Sequence, residues 1–379
     1  MRYIFTIGIL LAYGVINYYI GRLCWEHLFK YVPYLNNKVF WLLFWLVAWS
    51  YILLRLFNKY LPYGVNTLLS WISGYWFAIF FYLCLILLFL LLIKFLNSHL
   101  NFLPASLTNP WAVTVGVMVF ISILLVYGTW NARSIETLHY EVVIDKQVDG
   151  LSELNIVLVA DMHLDHVNDN KRLEKVVDKI NENQPDLVLL AGDNIDTGVS
   201  FFKEQQMDKT LQKIQSKYGV YGVLGNHEYY AGDINKIMAA LENGNVTMLQ
   251  DEYAKVNDSF YIVGRDDITV SMTGRDREKL SSVMEGINKE LPVILLDHQP
   301  IDLDEALEHG VDLQLSGHTH RGQLFPNQLI TQRVFEVDWG YLQKDSLQVI
   351  VSSGVNTWGP PVRIGSRSEI KKIKVTFAK

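Results

Sequence analysis

Four stretches in the first third of the chain, residues 3–20, 39–57, 72–93 and 111–127, are apolar and almost without charge. Each comes close to the ~20 residues that an α-helix needs to cross a ~30 Å hydrocarbon layer. Inside lipid a backbone must satisfy its own N–H and C=O groups, so these stretches are expected to be helical. Tyr and Trp gather near their ends (Tyr18, Tyr19, Trp25, Trp111, Trp130), as interfacial anchors do. The first stretch also fits a signal peptide, but three more spans follow and no small-x-small cleavage site is evident, which favours a retained helix. None has an acid or base at its centre. Lys94 lies near the end of the third, where a long side chain reaches the interface. Transporters and channels need polar groups inside the membrane, so the bundle reads as an anchor or lipid-facing platform.

Four spans place both chain ends on one side. Arg2, Arg55, Lys59 and Arg133 lie on that side, and Arg22, Lys30, Lys38 and Lys94 near the other, so the positive-inside count is level. The expectation is a multi-pass protein of the cell membrane with its second part on the cytoplasmic side. Residues 1–130 carry seven Lys/Arg against one acid, Glu26, a charge of +6; the whole chain is −6, leaving −12 for residues 131–379. So acidic a part argues against a nucleic-acid partner, because phosphate backbones need a basic footprint. The two cysteines, Cys24 and Cys84, lie in the apolar part and form neither a zinc spacing nor a disulfide framework.

A short polar linker is expected over about 128–139. Beyond it, apolar runs of five to seven residues alternate with amphipathic helical stretches such as 171–183 and 203–217, the pattern of an α/β domain. Five of the runs end in polar residues. "LNIVLVADMH" ends in Asp161 and His163, and "PDLVLLAGDNID" in Asp193 with Asp196 three further on. "YGVYGVLGNHEYY" ends in Asn226, His227 and Glu228, "LPVILLDHQP" in His298, and "VDLQLSGHTH" in His318 and His320. In α/β sheets, ligands bind beyond the carboxyl ends of the strands. The part from residue 131 has eight histidines, and five fall at these strand ends.

The donor set is carboxylate, imidazole and one amide oxygen, without thiolate. It suits Mn, Fe, Zn or Co rather than an iron–sulfur or structural zinc site. Seven candidates exceed the four to six positions of one ion, so two divalent ions sharing a carboxylate fit better. A pair about 3.5–4 Å apart activates water and clamps an in-line displacement at phosphorus.

The order DxH, GDxxD, GNHE, a lone His and GHTH, over residues 155–323, resembles the calcineurin-like metallophosphoesterases. The tail "SSGVNTWGPPVRIG" (352–365) is similar to that of a membrane-associated bacterial branch, which includes enzymes similar to the UDP-2,3-diacylglucosamine hydrolases. The resemblance implies an α/β fold in which the N-terminal four-helix transmembrane region (1–130) is followed by a linker and first strand (131–150). A four-layer α/β/β/α sandwich then occupies 151–379. It implies that Asp161, His163 and His320 hold one metal, that Asn226, His298 and His318 hold the other, and that Asp193 bridges them. Mn²⁺ is the expected pair, and water between the metals the nucleophile. His227 is expected beside the phosphoryl group, as charge stabiliser or proton donor, with Glu228 orienting it.

Several residues have a second reading. Asp196 either steadies its turn or touches metal, and Asp297 is an acid next to a ligand that would support it. Asp165 and His166 either reach substrate or lie in a solvated loop, while Asp186, at the start of a strand after Pro185, reads as structural and Asp266 and Asp267 as turn residues. His139 and His309 read as surface histidines. Phe325, Phe335, Trp339 and Trp358 form either a lipid-contacting rim, with Arg363 meeting a phosphate, or a packed core. The function expected is a membrane-anchored phosphoesterase acting on a phosphate ester or pyrophosphate. Its partners would be a phosphorylated, lipid-linked or membrane-proximal substrate and membrane lipids. The alternative is a membrane sensor that binds a phosphorylated ligand without turnover. The sequence carries no signal of oligomeric state.

Overall fold

The computed structural model describes residues 2–104 and 109–378. The side chains of Arg2 and Lys59, counted in the charge balance above, lie outside the described ones. The chain divides into two compact units: residues up to Thr129 with Gly359–Pro361, and Trp130–Trp358 with Val362–Lys379.

The first unit is helical: α1 (Arg2–His27), α2 (Asn37–Ala48), α3 (Ser50–Phe57), α4 (Tyr63–Leu100) and most of α5 (Pro110–Arg133). Three candidate spans, Thr6–Tyr31, Tyr63–Leu100 and Pro110–Arg133, are long and apolar enough to cross a membrane. The second expected span is instead the pair α2 and α3, bent by 59°, so a count of four needs that pair to be one span. The bend has a local cause. Trp49 leaves helical geometry (φ −97, ψ 5), and the Ser50 hydroxyl donates to the Val47 carbonyl at 2.7 Å, competing with the backbone ladder. Inside the unit the Tyr13 hydroxyl donates to Ala48 O at 2.5 Å and accepts from Trp76 Nε1 at 3.1 Å. One polar group thus ties α1, α2 and α4.

The expected linker is absent. Residues up to Arg133 complete α5 and Ile135 already begins β1, so only Ser134 separates helix from strand. The strands of the second unit are β1 (Ile135–Gln147), β2 (Glu153–Val159), β3 (Leu187–Ala191), β4 (Val220–Val223), β5 (Val246–Met248), β6 (Glu252–Val256), β7 (Phe260–Gly264), β8 (Val293–Leu296), β9 (Leu313–Ser316), β10 (Gly340–Lys344), β11 (Leu347–Val351) and β12 (Ser368–Ala378). They form two six-stranded sheets, ordered β1-β12-β2-β3-β4-β5 and β10-β11-β9-β8-β7-β6. The helices are α6 (Asn170–Glu182), α7 (Val199–Glu204), α8 (Met207–Leu211), α9 (Asn226–Ala231), α10 (Ile234–Asn243), α11 (Leu280–Val283), α12 (Leu303–Glu308) and α13 (Gln328–Val334). Of the helix expected over 203–217, residues 203–204 end α7 and 207–211 form α8, with a break where Gln206 sits in the left-handed region (φ 53), and 212–217 are not helical.

Alternate residues along a strand face opposite ways, and the buried residues sort accordingly. Val157, Val159, Val188 and Leu190 join Leu173, Val176, Ile180, Ile237 and Leu241 of α6 and α10. Ile156, Leu158, Leu187 and Leu189 join Phe260, Ile262, Ile294, Leu296, Leu313 and Leu315 of the second sheet. Tyr261, Val263, Val293, Leu295, Val349 and Val351 join Leu280 and Leu303 of α11 and α12. Each such side chain stabilises the fold by about 1.5–3 kcal/mol on burial. Phe260→Ala should therefore cost about 3–5 kcal/mol, seen as a lower denaturant midpoint of the detergent-solubilised protein. An unchanged midpoint would show that the sheets do not pack through Phe260.

Candidate metal centre

The site is assembled where parallel ladders stop. β2, β3 and β4 are parallel neighbours in one sheet, and β8 and β9 are parallel neighbours in the other. Their carboxyl ends carry Asp161 and His163, Asp193, Asn226 and His227, His298, and His318 and His320. Two bonds join the ends across the sheets. His298 Nδ1 lies 2.7 Å from Ala191 O, and His318 N donates to Asp161 Oδ1 at 3.0 Å. The close approach depends on glycine. A Cβ at Gly225 would lie 2.2 Å from Asp193 Oδ1, and one at Gly317 would lie 2.6 Å from both Ala160 Cβ and Asp161 Oδ2.

The seven residues expected to hold metal come together. Asp161, His163 and His320 form one group, and Asp193, His298 and His318 another, with donor atoms within 4.8 Å of one another in each. In the first, His163 Nε2 is 2.9 Å from His320 Nε2, and His320 Nε2 is 3.4 Å from Asp161 Oδ1. In the second, His298 Nε2 is 3.2 Å from Asp193 Oδ2, and Asn226 Oδ1 is 3.2 Å from His298 Nε2 and 2.9 Å from His318 Nδ1. Asp193 Oδ2 is also 3.8 Å from His163 Nε2, so this carboxylate lies between the groups. A third group joins His163, Asp193 and His227. Five of these residues, Asp161, His163, Asp193, His318 and His320, have positive φ between 42 and 71. Such backbone costs about 1–3 kcal/mol per residue and persists only where its surroundings over-determine it.

The donor chemistry fits divalent cations. Two imidazole nitrogens 2.9 Å apart beside buried carboxylates form a concentration of lone pairs that a cation satisfies. The orienting partners are present too. His163 Nδ1 is 2.7 Å from Asp196 Oδ1 and His298 Nδ1 meets Ala191 O, which leaves Nε2 of each facing the centre. Burial pushes the His318 imidazole down to about 4, with His298 acting in the same direction. It also pushes His320 well down, helped by His163 and Arg363. Both rings are thereby kept neutral, as metal ligands must be.

His227 is half-buried and its Nδ1 lies 3.0 Å from Asp196 Oδ1. Burial lowers its basicity, but the Asp196 carboxylate outweighs this and raises the pKa above the ordinary histidine value. Burial raises Asp196, but His163 and His227 hold it down to about 2. The expected orienting role of Glu228 is therefore filled by Asp196. Glu228 is fully buried, and its carboxylate accepts from the backbone N–H groups of Asp193, Asn194, Ile195 and Gly225 at 2.5–3.1 Å. It fastens the loop that carries Asp193 to the start of α9. Helical direction explains the exchange: adjacent residues on a helix point about 100° apart, so Glu228 faces away from His227.

Arg363 is also placed differently from the expected rim. It is fully buried and donates to Ser353 O and Asn356 O at 2.6 Å, with Nη2 3.2 Å from His320 Nδ1. Of the rim aromatics, Phe325 and Trp358 are exposed and Phe335 is half-buried. Trp339 is half-buried too, its Nε1 donating to the Glu369 carboxylate at 3.1 Å. His166 is half-buried with its ring against Phe201, and Asp165 accepts from Val167 N and Asn168 N within its own loop. Asp297 does not support His298; it takes a bidentate pair from Arg277 at 3.1 and 2.7 Å. Asp186 accepts from Asn155 N of the neighbouring strand β2, a structural contact, and Asp267 accepts from Thr269 N as a turn residue does.

Sequence reasoning missed a buried frame. Arg172 Nε donates to Asn356 Oδ1 at 2.7 Å, and its Nη atoms donate to Arg133 O, Ala132 O and Val355 O. Asn356 Nδ2 in turn donates to Met162 O at 2.7 Å, between two ligand candidates, and Asn168 Nδ2 to His163 O at 3.0 Å. One signal was present: Arg172 stands among the buried positions Leu173, Val176, Val177 and Ile180 of an amphipathic helix.

A family model described as calcineurin-like phosphoesterase matches residues 154–322. "Transmembrane protein with metallophosphoesterase domain" from Danio rerio is 30% identical over 370 residues, covering 93% of this chain and 84% of its own length. The protein of the same description from Bos taurus is 31% identical over 285 residues, 70% of this chain but only 63% of its own length. An "Uncharacterized metallophosphoesterase" from Aquifex aeolicus is 32% identical over 256 residues, 66% of this chain and 96% of its own length.

Gly225→Ala should drive a methyl group into Asp193. Bound metal, measured by elemental analysis of the purified protein, should fall below about half of wild type, since misplaced orienting groups typically cost 10–100-fold in affinity. Full metal content would show that the loop yields without disturbing the donors.

Proposed function

The chain belongs to the calcineurin-like metallophosphoesterase family and is a metal-dependent phosphoric ester hydrolase; from that premise we propose a binuclear enzyme anchored in a membrane. The observation that carries the binuclear reading is the placement of Asp193 between two donor groups. Asp161, His163 and His320 would hold one ion, and Asn226, His298 and His318 the other. With oxygen and nitrogen donors only, Mn²⁺ is the ion proposed. Bound divalent ions would supply Lewis acidity toward the phosphoryl group and a lowered pKa for water.

The chain's own residues supply the rest. Asp196 occupies Nδ1 of His227, which leaves Nε2 to meet a phosphoryl or leaving-group oxygen. The same carboxylate holds His163, so proton donor and ligand share one support. The raised pKa of His227 favours the protonated ring that stabilises charge or gives up a proton. The substrate class proposed is a phosphate ester or pyrophosphate borne by, or made at, the membrane surface, of the kind cleaved by UDP-2,3-diacylglucosamine hydrolases. Support comes from the three apolar helices and from relatives named as transmembrane proteins. The reading also takes the anchor as multi-pass with the catalytic unit cytoplasmic. It takes the three apolar clusters as the interfaces of a four-layer α/β/β/α sandwich. Membrane lipids, rather than nucleic acid, are the proposed surroundings.

The detergent-solubilised protein with Mn²⁺ should hydrolyse bis(p-nitrophenyl) phosphate and lose that activity on chelation. Asp193→Asn and His227→Asn should each lower kcat/KM by about 100-fold or more. Wild-type turnover in both variants would sink the mechanism. Ligand binding without turnover in the wild type would favour a sensor.

A further inference from the structure

Helix α13 is amphipathic in the wrong sense for a solvent-facing helix. Leu329, Ile330 and Val334 are 57%, 61% and 67% exposed, and Phe325 just before the helix is 53% exposed. Two of its polar residues, Gln328 and Thr331, turn inward, while Gln332 and Arg333 are exposed. Gln328 is buried and donates to Ile364 O at 2.9 Å, and the Thr331 hydroxyl donates to Asp338 Oδ2 at 2.6 Å. Ile330 and Val334 lie one turn apart and share a face. A contiguous apolar face on an otherwise polar surface marks an interaction site.

This face runs into the metal centre. α13 packs against the turn His320–Gly322, and Phe335, the residue after the helix, sets its ring 5.9 Å from that of His318. Two cations border it: Arg333 on the helix itself, exposed, and Arg321 next to His320, stacked 3.8 Å over the Trp339 ring. Neither guanidinium forms an ion pair with an acid among the described residues. An apolar strip that starts at a phosphate-processing centre and is edged by uncompensated positive charge complements an anion joined to a hydrocarbon.

We propose that the α13 face is the subsite for the hydrocarbon part of the substrate. The substrate is then an anionic phosphoester with an acyl or alkyl chain, its phosphate at the metal centre and its chain laid along Phe335, Val334 and Ile330. This deepens the phosphoesterase reading and rests on it. A seven-residue helix is about 10 Å long, room for a chain of medium length.

The test uses p-nitrophenyl phosphodiesters whose second ester is methyl, butyl or decyl, held below their micellar concentrations, with the full-length solubilised protein and Mn²⁺. Release of nitrophenolate should show kcat/KM rising at least tenfold from methyl to decyl. In the Leu329→Ser, Ile330→Ser, Val334→Ser triple variant the decyl-to-methyl ratio should fall to near one, with bound metal as in wild type. These side chains are exposed, so the fold does not depend on them. A flat series in the wild type overturns the subsite while the methyl ester still upholds the phosphoesterase. A ratio retained in the triple variant also overturns it. So does a triple variant that keeps the ratio but no longer binds vesicles of anionic lipid, which would make the face a membrane dock. No turnover of any ester overturns both readings.

Discussion

Two hydrogen bonds across the sheets, His298 Nδ1 to Ala191 O and His318 N to Asp161 Oδ1, set the distance on which the site depends. Neither of the two groups that Asp193 lies between comes from one sheet: Asp161, His163 and Asp193 come from the first and His298, His318 and His320 from the second. Sliding one sheet along the other by a single residue, about 3.3 Å, would separate Asp193 from His298, which now lie 3.2 Å apart. The apolar cluster between the sheets supplies the bulk of the adhesion but is not directional. The polar contacts at the strand ends fix the register that this adhesion leaves open. That division explains the glycine at 317, where a methyl group would press on Ala160 and Asp161 of the other sheet; Gly225 makes room for Asp193 within its own sheet.

Buried charge is the cost of the arrangement. Asp161, Asp193 and Glu228 are almost wholly inaccessible, and ionised groups leave water only when paired or hydrogen-bonded. Glu228 is balanced by four backbone N–H groups and Asp196 by two imidazoles. Asp161 accepts from His318 N and Asp193 from His227 N, and both carboxylates raise the pKa of the neighbouring His163 and His298, so protons on those rings or divalent cations would complete their compensation. The donor groups thus form a cage whose charge divalent cations would balance by displacing protons from the imidazoles.

Much of this was legible in the sequence, for a definite reason. Parallel strands end where their apolar runs end, and the polar residues just beyond must lie at one edge of the sheet, so Asp161, Asp193, Asn226, His298 and His318 could be grouped from position alone. Orientation around a helix start could not be read that way, and the neighbour of His227 in sequence, Glu228, is not its neighbour in space. Arg363 misled for a similar reason. Among exposed aromatics it read as a phosphate contact, whereas its guanidinium fills a void lined by backbone carbonyls. Nor did composition reveal the bend at Trp49, where one hydroxyl competes with the helix ladder, or that α5 runs into β1 through Ser134 alone.

The frame beneath the site follows from that last junction. The carbonyls of Ala132 and Arg133 at the end of α5 have no partner further along the helix, and Arg172 caps both. The same guanidinium holds Asn356, which holds Met162 O, so three bonds lead from the end of an apolar helix to the strained turn between Asp161 and His163. Burial lowers the pKa of Arg172 to about 9, with Arg133 and Arg363 nearby acting in the same direction, which leaves it charged at neutral pH. A neutral side chain there would remove the bonds to Arg133 O and Asn356 Oδ1, while Ala132 O would keep the Ser368 hydroxyl at 2.7 Å; a buried polar group that loses its partner costs about 1–3 kcal/mol. Positive φ at five of the candidate metal donors needs such a rigid surround. The frame reaches 184 residues in sequence from Arg172 to Asn356, a link without periodicity that no reading of apolar pattern finds.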